Sequence, residues 1–344
     1  MPRGRPPSYP AATRAILDLR LRPGARLPGE FALAERLGIH RLTLRKALTD
    51  LRRSGLVESR PGKGHFWIGR GGVRHLGLAV HHLPTEGPLP PYVARVVQGV
   101  HDGCGDAAFH WVHFESRHAA SFLDRTRLDG LAILSPNFAD NARFLGELLV
   151  RGLPLATINH LHPGIDGAMA DHETALAEVL AAMERAGRRR LAFLAHSLRF
   201  QDVARRLRLT ERFAKEHGMA LPKDQVVFGD ADPRAVAVWA RGLGKAASPD
   251  GIVVAHPPML FELLDAMSER QRDRIGKESF VACLSDHPRL EELCGGVTAV
   301  NQPLEAMGAW AARRIHARLS ATETEALHET FPCEIRWRAT LPKI

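Results

Sequence analysis

From residue 75 onward the chain repeats one pattern, a short apolar run followed by a stretch of helical spacing. HLGLAV (75–80) leads into PYVARVVQGVHDGCG, LAILSP (131–136) into FADNARFLGELLVRG, and LPLATINH (153–160) into DGAMADHETALAEVLAAMERAG. RRLAFLAH, DQVVFG, DGIVVAH, FVACLS and VTAVNQ continue the series, with helical stretches around ARRLRLTERFAKEHG, over 233–245, at PPMLFELLDAM and at EAMGAWAARRIHARL. Apolar runs of four to eight residues are strands buried on both faces, and strands that alternate with helices pair in parallel, with helices covering both sides. The 270 residues after position 74 hold two such sheets. In open α/β sheets ligands sit beyond the carboxyl ends of the strands, so the residues just after each run are the candidates for binding.

The first 74 residues obey a different pattern. A helix over 11–21 is stopped by Arg22-Pro23-Gly24, where proline breaks the ladder. GEFALAERLG then forms a second helix with Leu33, Ala34 and Leu37 on one face, closed by Gly38. In the third, Leu44, Ala47, Leu48 and Leu51 fall at i, i+3, i+4 and i+7, and Arg41, Arg45, Thr49 and Arg52 line the opposite side. Two short helices joined at a glycine, the second presenting cations, form a helix-turn-helix. In LVESRPGKGHFWIG, Val57 and Ser59 alternate on one side of the turn 60–64 and Phe66 and Ile68 on the other, which is a β-hairpin with a cationic tip.

Charge separates the two regions as sharply as pattern does. Residues 1–74 carry 16 Lys and Arg against five Asp and Glu; the remaining 270 carry 31 against 33. All of the net +9 therefore resides in one fifth of the chain. Such a segment attracts a polyanion, because each neutralised phosphate releases counterions.

Residues 26–38 (RLPGEFALAERLG), 39–48 (IHRLTLRKAL) and 54–68 (SGLVESRPGKGHFWI) closely resemble the GntR-type winged-helix regulators, in that family's order and spacing. The resemblance implies that Arg41, Thr43 and Arg45, with His40 and Lys46 beside them, contact phosphates and base edges of duplex DNA. It also implies that Gly62, Lys63, Gly64 and His65 enter the adjacent minor groove. Arg60 and Lys63 suit phosphates, whereas arginines of the helix can read guanine bidentately or hold the backbone, and both roles stay open for each of them. Gly29 stands where the family usually has a serine cap, Phe31 replaces a frequent arginine and His40 a frequent serine. Ahead of this domain, Arg3-Gly4-Arg5-Pro6 resembles the core of an AT-hook, so Arg3 and Arg5 of a basic arm over 1–10 are further candidates for the minor groove.

The larger segment resembles the lac-repressor-type effector domain, a relative of periplasmic sugar-binding proteins, through RLDGLAIL, LPLATIN, MADHETALAEVLAAMERAGRRRLAFL, RLRLTERFAKEHG, DGIVVAH and VTAVNQPLEAMGAWAARRI. The implied fold class is α/β: a winged helix-turn-helix (α+β) over 11–70, a linker over 71–75, and a two-lobed body over 76–344 with two parallel sheets. One lobe is expected at about 76–187 and 300–320, the other at about 188–298 and 325–344, with a ligand cleft between them. Arg206, twelve residues before Gly218, has the spacing of that family's effector-binding arginine. The family's aspartate corresponds to Asp286, or in a shifted register to Ser285. Tyr92, Ser135, His160, Asp171, His256 and Gln302 complete the expected effector site; His256 replaces a usual asparagine and Leu209 a usual glycine. By the same resemblance the protein is a homodimer that reads a pseudo-palindromic operator and responds to a small sugar or polyol, with repression relieved by the effector.

Other classes find less support. Hydrophobic content of 45% and charged content of 25% describe a soluble globular chain, and no apolar run reaches the roughly 20 residues of a membrane span. MPRGRPPSYP lacks a signal-peptide core, so a cytoplasmic location without membrane association is expected. Cys104, Cys283, Cys294 and Cys333 have no C-x-x-C spacing, which argues for reduced thiols. No G-x-S-x-G, G-x-x-x-x-G-K-[ST] or H-E-x-x-H occurs, so no enzyme is expected and no cofactor. His81, His82, His160, His162, His196 and His256 all fall at strand ends and raise a rival reading as a metal- or anion-sensing site, although fixed ligand spacing is lacking and hydrogen-bonding histidines are the simpler expectation. An architectural DNA-binding protein without any effector is a further alternative.

Overall fold

The structure is a computed structural model that describes residues 12, 13, 15, 16, 19, 21, 24–53, 56–68, 74–80, 88–104, 109–115, 128–136, 142–230, 232, 234–244, 248–319 and 325–343. The arm with Arg3 and Arg5, linker residues 71–73, and His81 and His82 lie outside them. Contacts divide the chain into a head, residues 1–75 with the short stretches 107–110 and 125–128, and a body holding the rest.

The head contains α1 (Glu30–Arg36), α2 (Arg41–Arg53), β1 (Val57–Arg60) and β2 (Gly64–Trp67). Ala12 and Ile16, one helical turn apart, join Leu33, Leu44, Leu48, Leu51, Val57 and Trp67 in a single apolar core. This is the stripe expected of the third helix, and it buries one side of α2 while leaving the cationic side outward. Gly38 turns the chain between α1 and α2 at φ 62°, a left-handed conformation that side chains resist. Gly29, at the N-cap of α1, supplies no side-chain acceptor where serine would. β1 and β2 pair antiparallel from Val57↔Trp67 to Arg60↔Gly64, so the wing forms as the alternation foretells.

The body is built on two six-stranded sheets. The first contains β3 (Arg74–Val80), β4 (Phe109–Glu115), β5 (Gly130–Leu134), β6 (Leu155–Ile158), β7 (Asp166–Asp171) and β13 (His328–Pro332), in the order β13-β7-β6-β5-β3-β4. The second contains β8 (Leu191–Ala195), β9 (Val226–Phe228), β10 (Gly251–Val254), β11 (Phe280–Cys283), β12 (Thr298–Asn301) and β14 (Glu334–Arg336), in the order β14-β12-β11-β10-β8-β9. Strands β5, β6, β8, β10 and β11 are buried along their whole length, which is why their sequences are continuous apolar runs. β12 and β14 pair antiparallel at the edge of the second sheet.

The helices that matter for the site are α3 (Pro91–Cys104), α5 (His172–Arg185), α6 (Gln201–Glu216), α8 (Pro257–Ala266) and α9 (Leu304–Leu319); α4 (Ala142–Arg151) and α7 (Ala235–Ala240) also belong to the body. Helices α3 and α9 touch backbone to backbone: a Cβ on Gly99 would overlap the carbonyl of Glu305, and one on Gly308 the carbonyl of Val96. Asp166, fully buried in the first lobe, accepts from Arg314 (3.0 Å), Arg318 and the amide of Leu327 (2.8 Å). These bonds hold its carboxyl below the usual range against the opposing pull of burial.

The lobe boundaries differ from those expected. Ala175, Leu176, Val179, Leu180 and Met183 of α5 pack in one core with Leu191, Phe193, Val253 and Phe280, so α5 covers the second sheet and the first crossing falls at 171/172 rather than 187/188. The C-terminal segment also divides, β13 joining the first sheet and β14 the second, with Cys333 between them. An amphipathic stripe shows that a helix covers a sheet but carries no record of which one. No helix among the described residues is long and apolar enough to cross a membrane.

Candidate functional site

In the head, four residues in the first half of α2 are exposed: Arg41, Leu42, Arg45 and Lys46. Thr43 is half-buried on the flank. The ring of His40 sits at the helix start, where its Nδ1 accepts from the amide of Leu42 (3.3 Å), a local cap in place of serine. Arg45 is engaged within the head itself: its Nε donates to Glu30 Oε2 at 2.7 Å, and the other oxygen of Glu30 faces His65 Nε2 at 3.6 Å. The bond from Arg45 holds the Glu30 carboxyl below its ordinary range. His65 also meets Ser59 Oγ through Nδ1 (2.7 Å), so one carboxylate ties the helix to the wing. At the wing, Arg60 pairs with Glu58 (2.9 Å) and lies over the Phe66 ring, while Lys63 stands exposed at the tip between Gly62 and Gly64, both at positive φ.

In the body, a cleft of about 330 Å³ opens at the carboxyl ends of the strands of both sheets. Apolar walls come from Pro90, Pro91, Phe200, Pro257, Pro258 and Phe261. Of the residues expected in an effector site, Tyr92, Ser135, Arg206, His256, Asp286 and Gln302 line it, as does Ser285 of the alternative register. His196, Asp202 and His287 line it too.

Among the described residues Arg206 is the largest wholly buried side chain. It rises from α6 one turn after Asp202, whose carboxylate lies 3.1 Å from its Nη2; Nη1 donates to the carbonyl of Ala255 (3.0 Å) and Nη2 to His172 Nε2 (3.0 Å). Since a guanidinium only donates, His172 must accept, and its ring is neutral with the proton on Nδ1. Burial and then the charge of Arg206 hold its pKa well below the usual value. The same two causes, in the same order, push His256 down to about 4. Arg206 Nε–H is buried with no partner among the described residues. A buried donor left unmet costs roughly 1–3 kcal/mol, a cost that an acceptor on a ligand would remove.

The opposite wall is held by a network. Asn159 donates to the Tyr92 hydroxyl and to Gln302 Oε1 (2.8 Å), and Gln302 Nε2 donates to the carbonyl of Leu284 (3.3 Å). Burial pushes the Tyr92 phenol above its usual pKa, so it stays protonated. Asn159 and Ser135 both adopt positive φ, 58° and 44°, at the ends of β6 and β5. Strain of this kind persists where the surroundings fix it, and here Ser135 lines the cleft while Asn159 bonds Tyr92 and Gln302, which line it. Asp286 is occupied by Arg336 (3.0 Å) and Arg338 (3.1 Å). Gln201 joins the lobes, accepting from the amide of Leu161 (2.8 Å) and donating to its carbonyl (3.1 Å).

Two expected residues lie away from the cleft. Asp171 caps α5, accepting from the amides of Glu173 and Thr174 and from the Thr174 hydroxyl, so its carboxylate is engaged at the helix start. His160 is half-buried and pushed down to about 4 mainly by burial, and the inward position belongs to Asn159. In each case the neighbour one residue along makes the buried bonds: Asn159 to Tyr92 and Gln302, and His172 to Arg206. Asp202 was not among the expected residues, and the only sequence signal for it is its position four before Arg206 on the same helical face. Among the described residues no group of three or more His, Cys, Asp or Glu is placed to hold a metal ion.

Comparison with known proteins identifies the two parts. Residues 11–66 match the family model "Bacterial regulatory proteins, gntR family", and residues 180–341 match that of the "Periplasmic binding protein-like domain". The chain joins a GntR-type head to a periplasmic-binding-protein-like body. It is 46% identical over 94 residues to the uncharacterized HTH-type transcriptional regulator Rv0494 of Mycobacterium tuberculosis, an alignment covering 24% of this chain and 39% of that protein. The chain therefore spans well under half the length of this curated relative. A putative transcriptional regulator LacI from Bacillus cereus subsp. cytotoxis superposes with a TM-score of 0.69 at 16% identity, covering 78% of this chain and 98% of that one. The transcriptional regulator CelR in complex with cellobiose superposes at 0.68 with 19% identity, covering 91% of this chain and all of that one. At these identities the periplasmic-binding-protein-like body shares the fold of those regulators.

Proposed function

We propose that this protein is a ligand-responsive, sequence-specific DNA-binding transcriptional regulator that acts by binding and not by catalysis. The GntR-type head supplies the reading surface, Arg41, Arg45 and Lys46 on α2 and Lys63 on the wing. The cleft around Arg206 receives a small effector, a sugar or polyol. The observation that carries this reading is the combination of a cationic outward face on α2 with an interlobe cleft whose buried arginine retains one unmet donor.

Closure of the two lobes about the crossings at 171/172, 301/304 and 332/334 would be favoured by an effector that accepts from Arg206 Nε and stacks on Phe200 or Phe261. A homodimer would place two recognition helices on half-sites of a pseudo-palindrome about one helical turn apart. Ligand binding that changes lobe geometry would change the head's affinity, with repression relieved by the effector. The cellobiose complex of CelR, which shares the body's fold, supports a sugar. A regulator of this kind acts in the cytoplasm.

The test is selection of binding sites from random duplex DNA by the full chain, followed by a thermal-shift screen of monosaccharides, disaccharides and nucleosides. An enriched inverted repeat and a stabilising ligand are expected. Sequence-independent binding with no stabilising ligand would overturn the reading in favour of an architectural protein.

A further inference from the structure

The outward face of α2 contains one residue that a merely cationic surface has no use for. Leu42 is 63% exposed and shares the face with Arg41, Arg45 and Lys46. The core does not need it, since Ala47 and Leu44, Leu48 and Leu51 of the same helix already fill the interior. Its amide is capped by His40, so the first turn that carries it is well formed. One of its cationic neighbours, Arg45, is paired with Glu30 in the free head.

We propose that Leu42 is a specificity-determining residue that reads the 5-methyl group of a thymine in the major groove. The inference rests on the DNA-reading role proposed above for α2. An exposed leucine gains nothing from a phosphate, so the backbone-holding role open to Arg41 and Lys46 is closed to it. Base edges in the major groove present donors, acceptors and a single apolar group, the thymine methyl. Residues at the start of a recognition helix are the ones that reach base edges, and Leu42 is the second residue of α2. A leucine flanked by three cations is poorly placed for an apolar protein partner, whereas a polyanion with one methyl in its groove matches both the charge and the apolar group.

The experiment uses the full chain and its Leu42→Ala variant, which keeps helix propensity because alanine is the best helix former. Sites selected by the wild type serve as probes, with each thymine in turn replaced by deoxyuridine, which removes only the methyl. For one thymine per half-site the wild type is expected to lose about fourfold in affinity, the worth of burying one methyl-sized group. Leu42→Ala is expected to bind the thymine and deoxyuridine probes equally. Loss of equal size in both proteins, or no loss in the wild type at any thymine, overturns the assignment of Leu42 while leaving the regulator intact. Failure of the wild type to select any sequence overturns the regulator reading itself.

Discussion

Arg206 is a charge taken wholly out of water, and such a charge persists only when its partners are in place. Asp202 supplies the counter-charge, the carbonyl of Ala255 and neutral His172 supply acceptors, and Nε is buried without a partner among the described residues. Asp202→Ala should strand the guanidinium at a cost of about 3–5 kcal/mol, seen as a lower unfolding midpoint. The double variant with Arg206→Met should recover part of it, and a purely additive double mutant would contradict the coupling. The histidines give a pH dependence of definite sign. Burial holds His256 near 4, and His172 lies below its ordinary value by the same cause, whereas an unfolded imidazole titrates near 6.5. Below about pH 6.5 the unfolded chain therefore takes up protons that the folded chain refuses. Stability complete above that pH should fall as pH drops toward 4, and His256→Gln should flatten the slope; a midpoint higher at pH 5 than at pH 7 would contradict this. Arg206 was legible from its spacing to Gly218. Asn159 and His172 were not, because at a strand end a one-residue shift turns the neighbouring side chain away, and only the left-handed φ of Asn159 reveals which residue points inward.

Helices and strands were the most legible level. Continuous apolar runs become the fully buried strands of both sheets, and the i, i+3, i+4, i+7 stripe of α2 becomes the core of the head. The exception is α5: its apolar face was plain, but its placement over the second sheet depends on which neighbouring surface remains uncovered after the chain crosses at 171/172. The division of β13 and β14 between sheets was hidden for a related reason, since each spans only a few residues around Cys333. The pairing of α3 with α9 rests on absent side chains. Gly99 and Gly308 allow the two backbones to touch, and Arg95 bridges the same helices through Glu305 (2.6 Å) while also donating to Asn301 at the end of β12 (2.9 Å). Gly99→Val should force them apart and cost about 3 kcal/mol, measured by denaturant unfolding of the full chain. An unchanged midpoint would mean that this contact is looser than the structure has it.

For the molecule as a whole, the division of labour follows the division of charge. Residues 1–74, with an excess of eleven positive charges, favour a polyanionic partner, and the near-neutral body, whose two lobes are joined by three crossings among the described residues, holds a cleft at the ends of both sheets. Coupling between them needs only a modest free energy, roughly 1–3 kcal/mol, to change operator occupancy substantially. The decisive measurement is the dissociation constant of the full chain for its selected operator, by fluorescence anisotropy at fixed salt, with and without a saturating ligand shown by calorimetry to bind one site per chain. The operator affinity should shift by a factor of roughly 5–150 on saturation. A ligand that occupies the cleft and leaves the operator dissociation constant unchanged would contradict the account.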